Sequence, residues 1–138
     1  MAKSKKKPSK KDLMKKVAFW LTTLLGPVSF VIGGALFLTH AQQPIEAMTH
    51  LGYPLYLLNI LGFWKLAGAI VILIPGYPLL KEWAYAGFVF ELTGAAASHF
   101  FAGDPFFSAG PMQVSTPLIF LILVVASWYL RPADRKLV

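Results

Sequence analysis

Two ionisable residues, Lys65 and Glu91, lie within otherwise apolar stretches of the sequence. An ionisable group at such a depth is costly unless it finds a partner or water. Lys65 lies about 13 Å before the end of its stretch and Glu91 about 12 Å after the start of the next, at the rise of an α-helix. Consecutive antiparallel helices would bring them together. Such a pair either fixes helix register or lines a polar cavity for a ligand or proton, with Glu91 as the proton acceptor.

Further polar and aromatic side chains surround this pair if the stretches are helical. We expect a pocket whose floor is the pair and which opens toward the end of the protein that carries the histidines. Trp64, next to Lys65, forms either an aromatic wall of this pocket or part of a packed core. The predicted pocket residues are Asn59, Trp64, Ser29, Ser98, His99 and His40.

The three histidines fall in one half of the predicted topology, together with acidic residues. By residue type they could bind zinc, copper or iron. No pair shows a ligand spacing such as H-x-x-x-H, so hydrogen-bonded histidines near the membrane surface are favoured over a metal site. His99 with Asp104 is the expected polar contact. The residues considered as metal ligands are His40, His50, His99 and Asp104.

Small and polar residues recur at helical spacing in two stretches. Such stripes are more typical of close packing between helices than of ligand sites. We therefore expect both to be packing seams, in which Glu91 is the one residue that packing does not require. The first stripe is Thr22, Gly26, Ser29, Gly33 and His40, and the second is Gly87, Glu91, Gly94 and Ser98.

Four apolar stretches must position these residues, in a chain of 138 residues that is 57% hydrophobic and 14% charged. Crossing a bilayer takes about 20 mainly apolar residues in a helix. We predict an all-α fold, in which residues 17–138 form one domain. This domain is an antiparallel bundle of four transmembrane helices with a short outer interfacial helix over Pro44–Leu51. The predicted spans are Val17–Thr39, Leu55–Ile74, Trp83–Phe101 and Thr116–Leu130.

The positive charge is concentrated at one end of the chain. Eight of the thirteen Lys and Arg lie in residues 1–16, and the remainder of the chain is formally neutral. The connections 40–54 and 102–115 carry no Lys or Arg, so the positive-inside rule places both termini in the cytoplasm. We expect the basic tail, residues 1–16, to be disordered and to act as a topology signal or to attract anionic lipid. It has no aromatic residue for nucleic-acid binding.

Several classes of chemistry are excluded. The chain has no cysteine, so it forms no disulfide, no thiolate-bound cluster and no thiol redox centre. It has no Gly-rich phosphate loop, nucleophile elbow or paired catalytic carboxylates, so soluble hydrolase and nucleotide-enzyme functions lack support. Nothing in the sequence predicts catalysis by this chain on its own.

Four segments carry a resemblance: LGYP (Leu51–Pro54), WKLAGA (Trp64–Ala69), LKEWAYAG (Leu80–Gly87) and GAAASH (Gly94–His99). They resemble the DoxX-like family of small bacterial membrane proteins, and the resemblance covers the chain after the lysine tail. It implies a four-helix fold in the bacterial inner membrane and no catalytic signature. The wider superfamily includes small subunits linked to thiosulfate:quinone oxidoreduction and an animal branch that assists receptor assembly.

Three functions remain open. The first is a non-enzymatic multi-pass membrane protein that binds a lipid, a quinone or a partner protein within its bundle. The second is an accessory subunit of a quinone-linked membrane oxidoreductase, and the third is conduction of protons or small solutes as an oligomer. No cofactor is predicted beyond a quinone or lipid ligand. The expected partners are the lipid bilayer and a second copy or another membrane protein, and not nucleic acid.

Overall fold

The computed structural model describes residues 7–137, and every regular element in that range is helical. This confirms the predicted all-α class. Two short 3₁₀ turns, Pro27–Ser29 and Ala133–Arg135, accompany the α-helices. The α-helices are α1 (Lys10–Leu25), α2 (Phe30–Leu38), α3 (Gln42–Leu51), α4 (Tyr56–Leu73), α5 (Pro78–Phe101) and α6 (Ser115–Leu130).

Helix α1 begins seven residues before the predicted first span. The Ser9 hydroxyl accepts the backbone N–H of Asp12 at 3.2 Å, and the Asp12 carboxylate accepts the backbone N–H of Ser9 at 3.1 Å. This capping box satisfies two N–H groups that a helix start otherwise leaves without partners. The prediction of disorder is therefore wrong for residues 10–16, which are helical; residues 1–6 of the tail lie outside the described range.

The first predicted span is interrupted at Gly26–Ser29. Pro27 lacks the N–H that would continue the helical ladder, and its ring clashes with the preceding turn, so α1 ends and a 3₁₀ turn follows. The Ser29 hydroxyl donates to the Gly26 carbonyl at 2.7 Å within this turn. The two halves consequently have different neighbours: α1 packs against α6, and α2 packs against α4.

The closest helix contact joins α2 and α4. A Cβ added to Gly34 would lie 2.9 Å from the Gly62 carbonyl oxygen, and a Cβ added to Gly62 would lie 3.0 Å from that of Gly34. Only glycine permits this approach of the two backbones. The prediction had named Gly33 in this seam; a Cβ there would meet its nearest neighbour, Lys65 Cδ, at an ordinary 3.9 Å.

The stripe on α5 is not a packing seam, contrary to the prediction. A Cβ added to Gly87 or to Gly94 would meet nothing within 4 Å. Both glycines face open grooves, because α5 packs on α4 and α6 through other residues. Its side chains Tyr85, Phe88 and Leu92 enter the core instead.

The core lies where α2, α4, α5 and α6 meet, and it consists of Phe30, Ile72, Tyr85, Phe88, Leu92 and Val124. Many large apolar side chains point away from it; Ile32, Phe63, Phe90 and Ile122 are between 58% and 76% exposed. Two helical stretches, Lys10–Leu38 and Tyr56–Leu73, are long and apolar enough to cross a membrane, and α6 is a shorter apolar helix.

The short helix α3 includes the predicted Pro44–Leu51 and starts two residues earlier. Met48 is buried, and Ile45 and Leu51 are half-buried, so the apolar side of α3 faces the protein. Gly52 ends the helix with φ 75°, a left-handed conformation that favours glycine.

Two glycine substitutions test the α2–α4 contact. Gly34→Ala should lower the melting temperature in detergent, because an added methyl in a filled seam costs about 1–3 kcal/mol. Gly94→Ala is the matched control in an open position, and it should leave the melting temperature unchanged or raise it, since Ala is favoured over Gly in helices by about 1 kcal/mol. Equal melting temperatures for the two variants would contradict the close approach.

Candidate functional site

Lys65 and Glu91 meet at the junction of α2, α4 and α5. The Lys65 ammonium contacts Glu91 Oε1, and it also lies over the rings of Phe30 and Phe37, 4.7 and 4.9 Å from their centroids. The Lys65 side chain is 8% exposed and that of Glu91 20%. The positive charge is thus enclosed by one carboxylate and two aromatic faces, an arrangement that offsets much of the cost of removing it from water.

Glu91 has a second, open side that faces a groove of about 550 Å³ between α4 and α5. Of the residues that line this groove, Glu91 is the one with a charge, and the rest are apolar, aromatic or glycine. The open position at Gly87 belongs to it. We refer to it as the α4–α5 groove; its lining is Leu61, Trp64, Ala67, Gly68, Val71, Leu80, Trp83, Ala84, Gly87, Phe88, Phe90 and Glu91.

The α4–α5 groove runs in the direction opposite to that predicted. From Glu91 it extends along α5 toward Leu80, away from His99 at the other end of that helix. Of the predicted pocket residues, Trp64 lies in it. That side chain is 64% exposed, so it is not a packed core tryptophan. The cause is local: Gly87 has no side chain and leaves space in the groove that Trp64 and Phe90 also line.

The histidines form separate contacts at the far end. Asp104 Oδ1 lies 2.7 Å from His50 Nε2, and Asp104 Oδ2 lies 2.6 Å from His99 Nδ1. The hydrogen bond from His99, followed by that from His50, lowers the pKa of Asp104 below its ordinary value of 3.8. The contact expected between His99 and Asp104 is present, and His50 joins it, so that α3 is tied to the connection after α5.

The other predicted pocket residues are dispersed. His40 Nε2 lies 2.9 Å from Asn59 Oδ1, and Ser98 Oγ lies 2.8 Å from the Tyr53 hydroxyl, beside a separate shallow groove. Ser29 belongs to the turn between α1 and α2. These residues do not line one cavity with Lys65 and Glu91. Within residues 7–137, no group of three or more His, Asp or Glu side chains could hold a metal ion.

A buried polar cluster that the sequence did not reveal links α1, α5 and α6. Ser127 Oγ lies 2.7 Å from both the Thr23 hydroxyl and the Tyr85 hydroxyl, and all three residues are at most 2% exposed. Hydrogen bonds between helices of this kind specify which helices pair in an apolar environment. The predicted stripe contained Thr22 instead of Thr23, because spacing alone does not locate the polar partner on another helix.

A second unpredicted cluster closes the end of α4. Lys81 Nζ donates to the carbonyls of Val71 and Ile74, and Arg135 donates to that of Ile72 at 2.9 Å. The last carbonyls of a helix have no partner within it and carry its partial negative charge, so two cations are favourable there. The last turn of α4 has no polar side chain, so the sequence does indicate that hydrogen-bond donors for these carbonyls must come from another part of the chain.

The same end of the protein holds an Arg–Glu pair. Arg131 Nη2 donates to Glu82 Oε1 at 2.6 Å, and Trp128 Nε1 donates to Glu82 Oε2 at 2.8 Å. The Arg131 guanidinium also lies 5.0 Å from the centroid of the Tyr85 ring. These contacts attach the chain after α6 to the start of α5.

The Lys65–Glu91 pair makes a testable contribution to stability. Lys65→Met and Glu91→Gln should each lower the melting temperature, because an uncompensated buried charge commonly costs about 3–5 kcal/mol. The double variant should recover much of the loss, and Glu46→Gln, an exposed change of one charge, is the control. If the two single losses simply add in the double variant, the two side chains do not stabilise each other.

Comparison with known proteins agrees with the resemblance found in the sequence. No curated protein and no solved structure matches this chain significantly. The sequence profile of the DoxX-like family matches residues 21–127, a range that contains α4, α5, the Lys65–Glu91 pair and the α4–α5 groove. Because this match covers most of the sequence, the chain belongs to the DoxX-like family.

Proposed function

We propose that this protein is a multi-pass protein of the bacterial inner membrane that binds a lipid-like molecule in the α4–α5 groove. Its four spans would be the stretch Lys10–Leu38, α4, α5 and α6. The exposed apolar side chains on the outer surface of these helices support this arrangement, because soluble monomers rarely expose apolar patches of such extent.

The distribution of charge supports a topology with both termini in the cytoplasm. Arg135, after α6, contacts the end of α4, and Lys81 near the start of α5 contacts the same end. Two separate segments thus bring positive charge to one face of the protein. At the opposite end, Asp104 is paired with His50 and His99, and the connections carry no Lys or Arg.

The observation that carries the ligand proposal is the open, apolar α4–α5 groove with a single carboxylate at Glu91. Its volume lies within the about 300–1,000 Å³ usual for small-molecule sites, and convergent polar groups in an apolar pocket are what such sites use to orient a ligand. The groove lies on the outside of the helix pair, where an acyl or isoprenoid chain can enter from the bilayer.

The chemistry of Glu91 limits which head groups the α4–α5 groove can bind. An ionised carboxylate accepts hydrogen bonds and cannot donate them. It therefore suits a hydroxyl group, as in a lipid alcohol or a reduced quinone, whereas the carbonyl oxygens of an oxidised quinone need a donor. Lys65 keeps the site charge-balanced from its buried side, so the pair would act in binding as well as in structure.

The alternatives receive less support from the same geometry. For conduction, Lys65 is enclosed by Phe30, Phe37 and Glu91, and the groove beside the pair is lined by apolar residues. An accessory role in a quinone-linked oxidoreductase is compatible with the groove, and it would require that the bound molecule be a quinone or quinol. The identity of the molecule that copurifies therefore distinguishes these functions.

Membrane topology can be tested with single cysteines, since the chain has none. Gln43→Cys should react with an impermeant maleimide in intact spheroplasts, because it lies on the proposed outer face. Asp134→Cys, the control on the opposite face, should react only after the membrane is opened. Labelling of Gln43→Cys only after opening would overturn the orientation.

The α4–α5 groove can be filled without disturbing the packing. Gly87→Leu places a side chain in open space, so the folded protein should retain its melting temperature and lose its copurifying lipid-like molecule by about tenfold or more, equivalent to about 1.4 kcal/mol. Gly94→Leu is the matched control on the same helix, where a side chain also meets open space but outside this groove.

The measurement is native mass spectrometry of the parent and both variants, with solvent extraction to identify the bound class. Equal retention of the molecule by Gly87→Leu and the parent would contradict the proposal. So would a parent that is a dimer without a ligand and becomes monomeric on Gly87→Leu, because the groove would then hold a second copy.

A further inference from the structure

A second cavity, of about 610 Å³, lies where the first turns of α1 meet the segment that follows α6. Five cationic side chains and two acidic ones line it. The cationic side chains come from two distant parts of the sequence: α1 contributes Lys15 and Lys16, and the segment after α6 contributes Arg131, Arg135 and Lys136. We refer to this cavity as the basic pocket.

The charges of the basic pocket are not all engaged in holding the fold. Arg131 is paired with Glu82, and Arg135 binds the carbonyls that end α4. The side chains of Lys15, Lys16 and Lys136 are exposed and make no hydrogen bond or ion pair with any residue from 7 to 137.

The acids of the basic pocket do not neutralise these lysines. Asp12 is held by Ser9 in the capping box, and neither Asp12 nor Asp134 forms an ion pair within the described range. Three lysines are therefore available to an anion.

An apolar groove adjoins the basic pocket. It has a volume of about 320 Å³, lies between α1 and α6, and shares Lys15 and Leu130 with the pocket. Its other lining residues are Lys11, Met14 and Ala18, and almost all of its exposed surface is apolar. A cationic site that opens directly onto an apolar groove is complementary to a molecule in which an anionic head group is joined to a hydrocarbon chain.

Aromatic residues mark the level of this site in the membrane. Trp20 and Tyr129 line the basic pocket, and these two residue types are enriched where hydrocarbon meets head groups. Lys7 precedes α1, and Lys10 and Lys11 lie on its first turn, where they would face the anionic inner leaflet.

We propose that the basic pocket binds the phosphate of an anionic phospholipid from the inner leaflet, with one acyl chain in the groove between α1 and α6. Lys15, Lys16 and Lys136 contact the phosphate, and Met14 and Ala18 contact the chain. The assignment to the inner leaflet rests on the proposed topology, whereas the site itself is independent of the ligand in the α4–α5 groove.

The test compares phosphatidylglycerol with phosphatidylcholine of the same acyl chains, added to the full chain in detergent and measured by native mass spectrometry. The parent should bind phosphatidylglycerol about tenfold more tightly. The variant Lys15→Gln/Lys16→Gln/Lys136→Gln should lose this preference. Its melting temperature should match the parent's, because these side chains are exposed and Gln and Lys have similar helix propensities.

The matched control is Lys5→Gln/Lys6→Gln/Lys7→Gln, which removes the same charge from the start of the sequence and should keep the preference. If the control loses it equally, net charge of the tail explains the binding and the pocket does not. Equal affinity of the parent for the two lipids would also overturn the proposal.

Two further measurements test which molecule occupies the basic pocket and its adjoining groove, without changing any lysine. Ala18→Phe fills the apolar groove and should weaken phosphatidylglycerol binding at an unchanged melting temperature; unchanged binding would contradict the placement of the acyl chain. Millimolar inorganic phosphate should not displace the lipid, and displacement would identify free phosphate as the ligand. These measurements in detergent do not depend on topology, so a reversed cysteine-labelling pattern would overturn the leaflet assignment alone.

Discussion

The ion pair of Lys65 and Glu91 is the interaction on which the arrangement of three helices depends. Its ammonium group must be enclosed, so α2 supplies Phe30 and Phe37 and α5 supplies the carboxylate. Such enclosure requires α2 and α4 to approach closely, and Gly34 allows that approach by having no Cβ. Because Glu91 points to Lys65 from one side of α5, its other side remains open toward the α4–α5 groove. The same interaction therefore orders the bundle and gives an apolar groove its one charged group.

A second constraint acts at the end where α4 stops. Its last carbonyls need donors, and Lys81 provides one from the first turn of α5 while Arg135 provides one from the segment after α6. The positive charges that indicate orientation in the sequence thus include residues that close a helix. Arg131 and Arg135 are used by the fold, which is why the exposed lysines are the ones left for an anion.

The sequence predicted correctly those properties that depend on nearby residues or on how far along a helix a residue lies. Apolar stretches predicted the helices, and the predicted short helix Pro44–Leu51 ends at the same residue as α3. Counting residues along two consecutive helices placed Lys65 beside Glu91. Sequence reasoning failed where the role of a residue depends on which other helix packs against it, because the spacing of residues along one helix does not identify that helix. The stripe on α5 has the spacing of a seam, yet no helix covers Gly87 or Gly94. The seam on α2 uses Gly34 in place of Gly33, and the spacing of the stripe does not reveal that the two halves of the first span pack on different helices. Similarly, Ser127 joins Thr23 and Tyr85 only once α1, α5 and α6 are packed.

The two proposed sites differ in the sign of the charge that they present to a ligand. In the α4–α5 groove, Glu91 faces the ligand while its partner Lys65 is enclosed on the far side, so a phosphate group would meet a carboxylate at short range. Like charges in a low-dielectric environment repel strongly, and an anionic phospholipid head is therefore disfavoured there. In the basic pocket, the exposed lysines favour that same head group over a neutral alcohol, because their hydrogen bonds to a charged phosphate are stronger. One small bundle can in this way separate neutral, hydroxyl-bearing molecules from anionic lipids. This selectivity depends on which charged side chains are enclosed by the protein and which remain exposed to a ligand. Lys65 is enclosed and Glu91 faces its groove, whereas the lysines of the basic pocket are exposed.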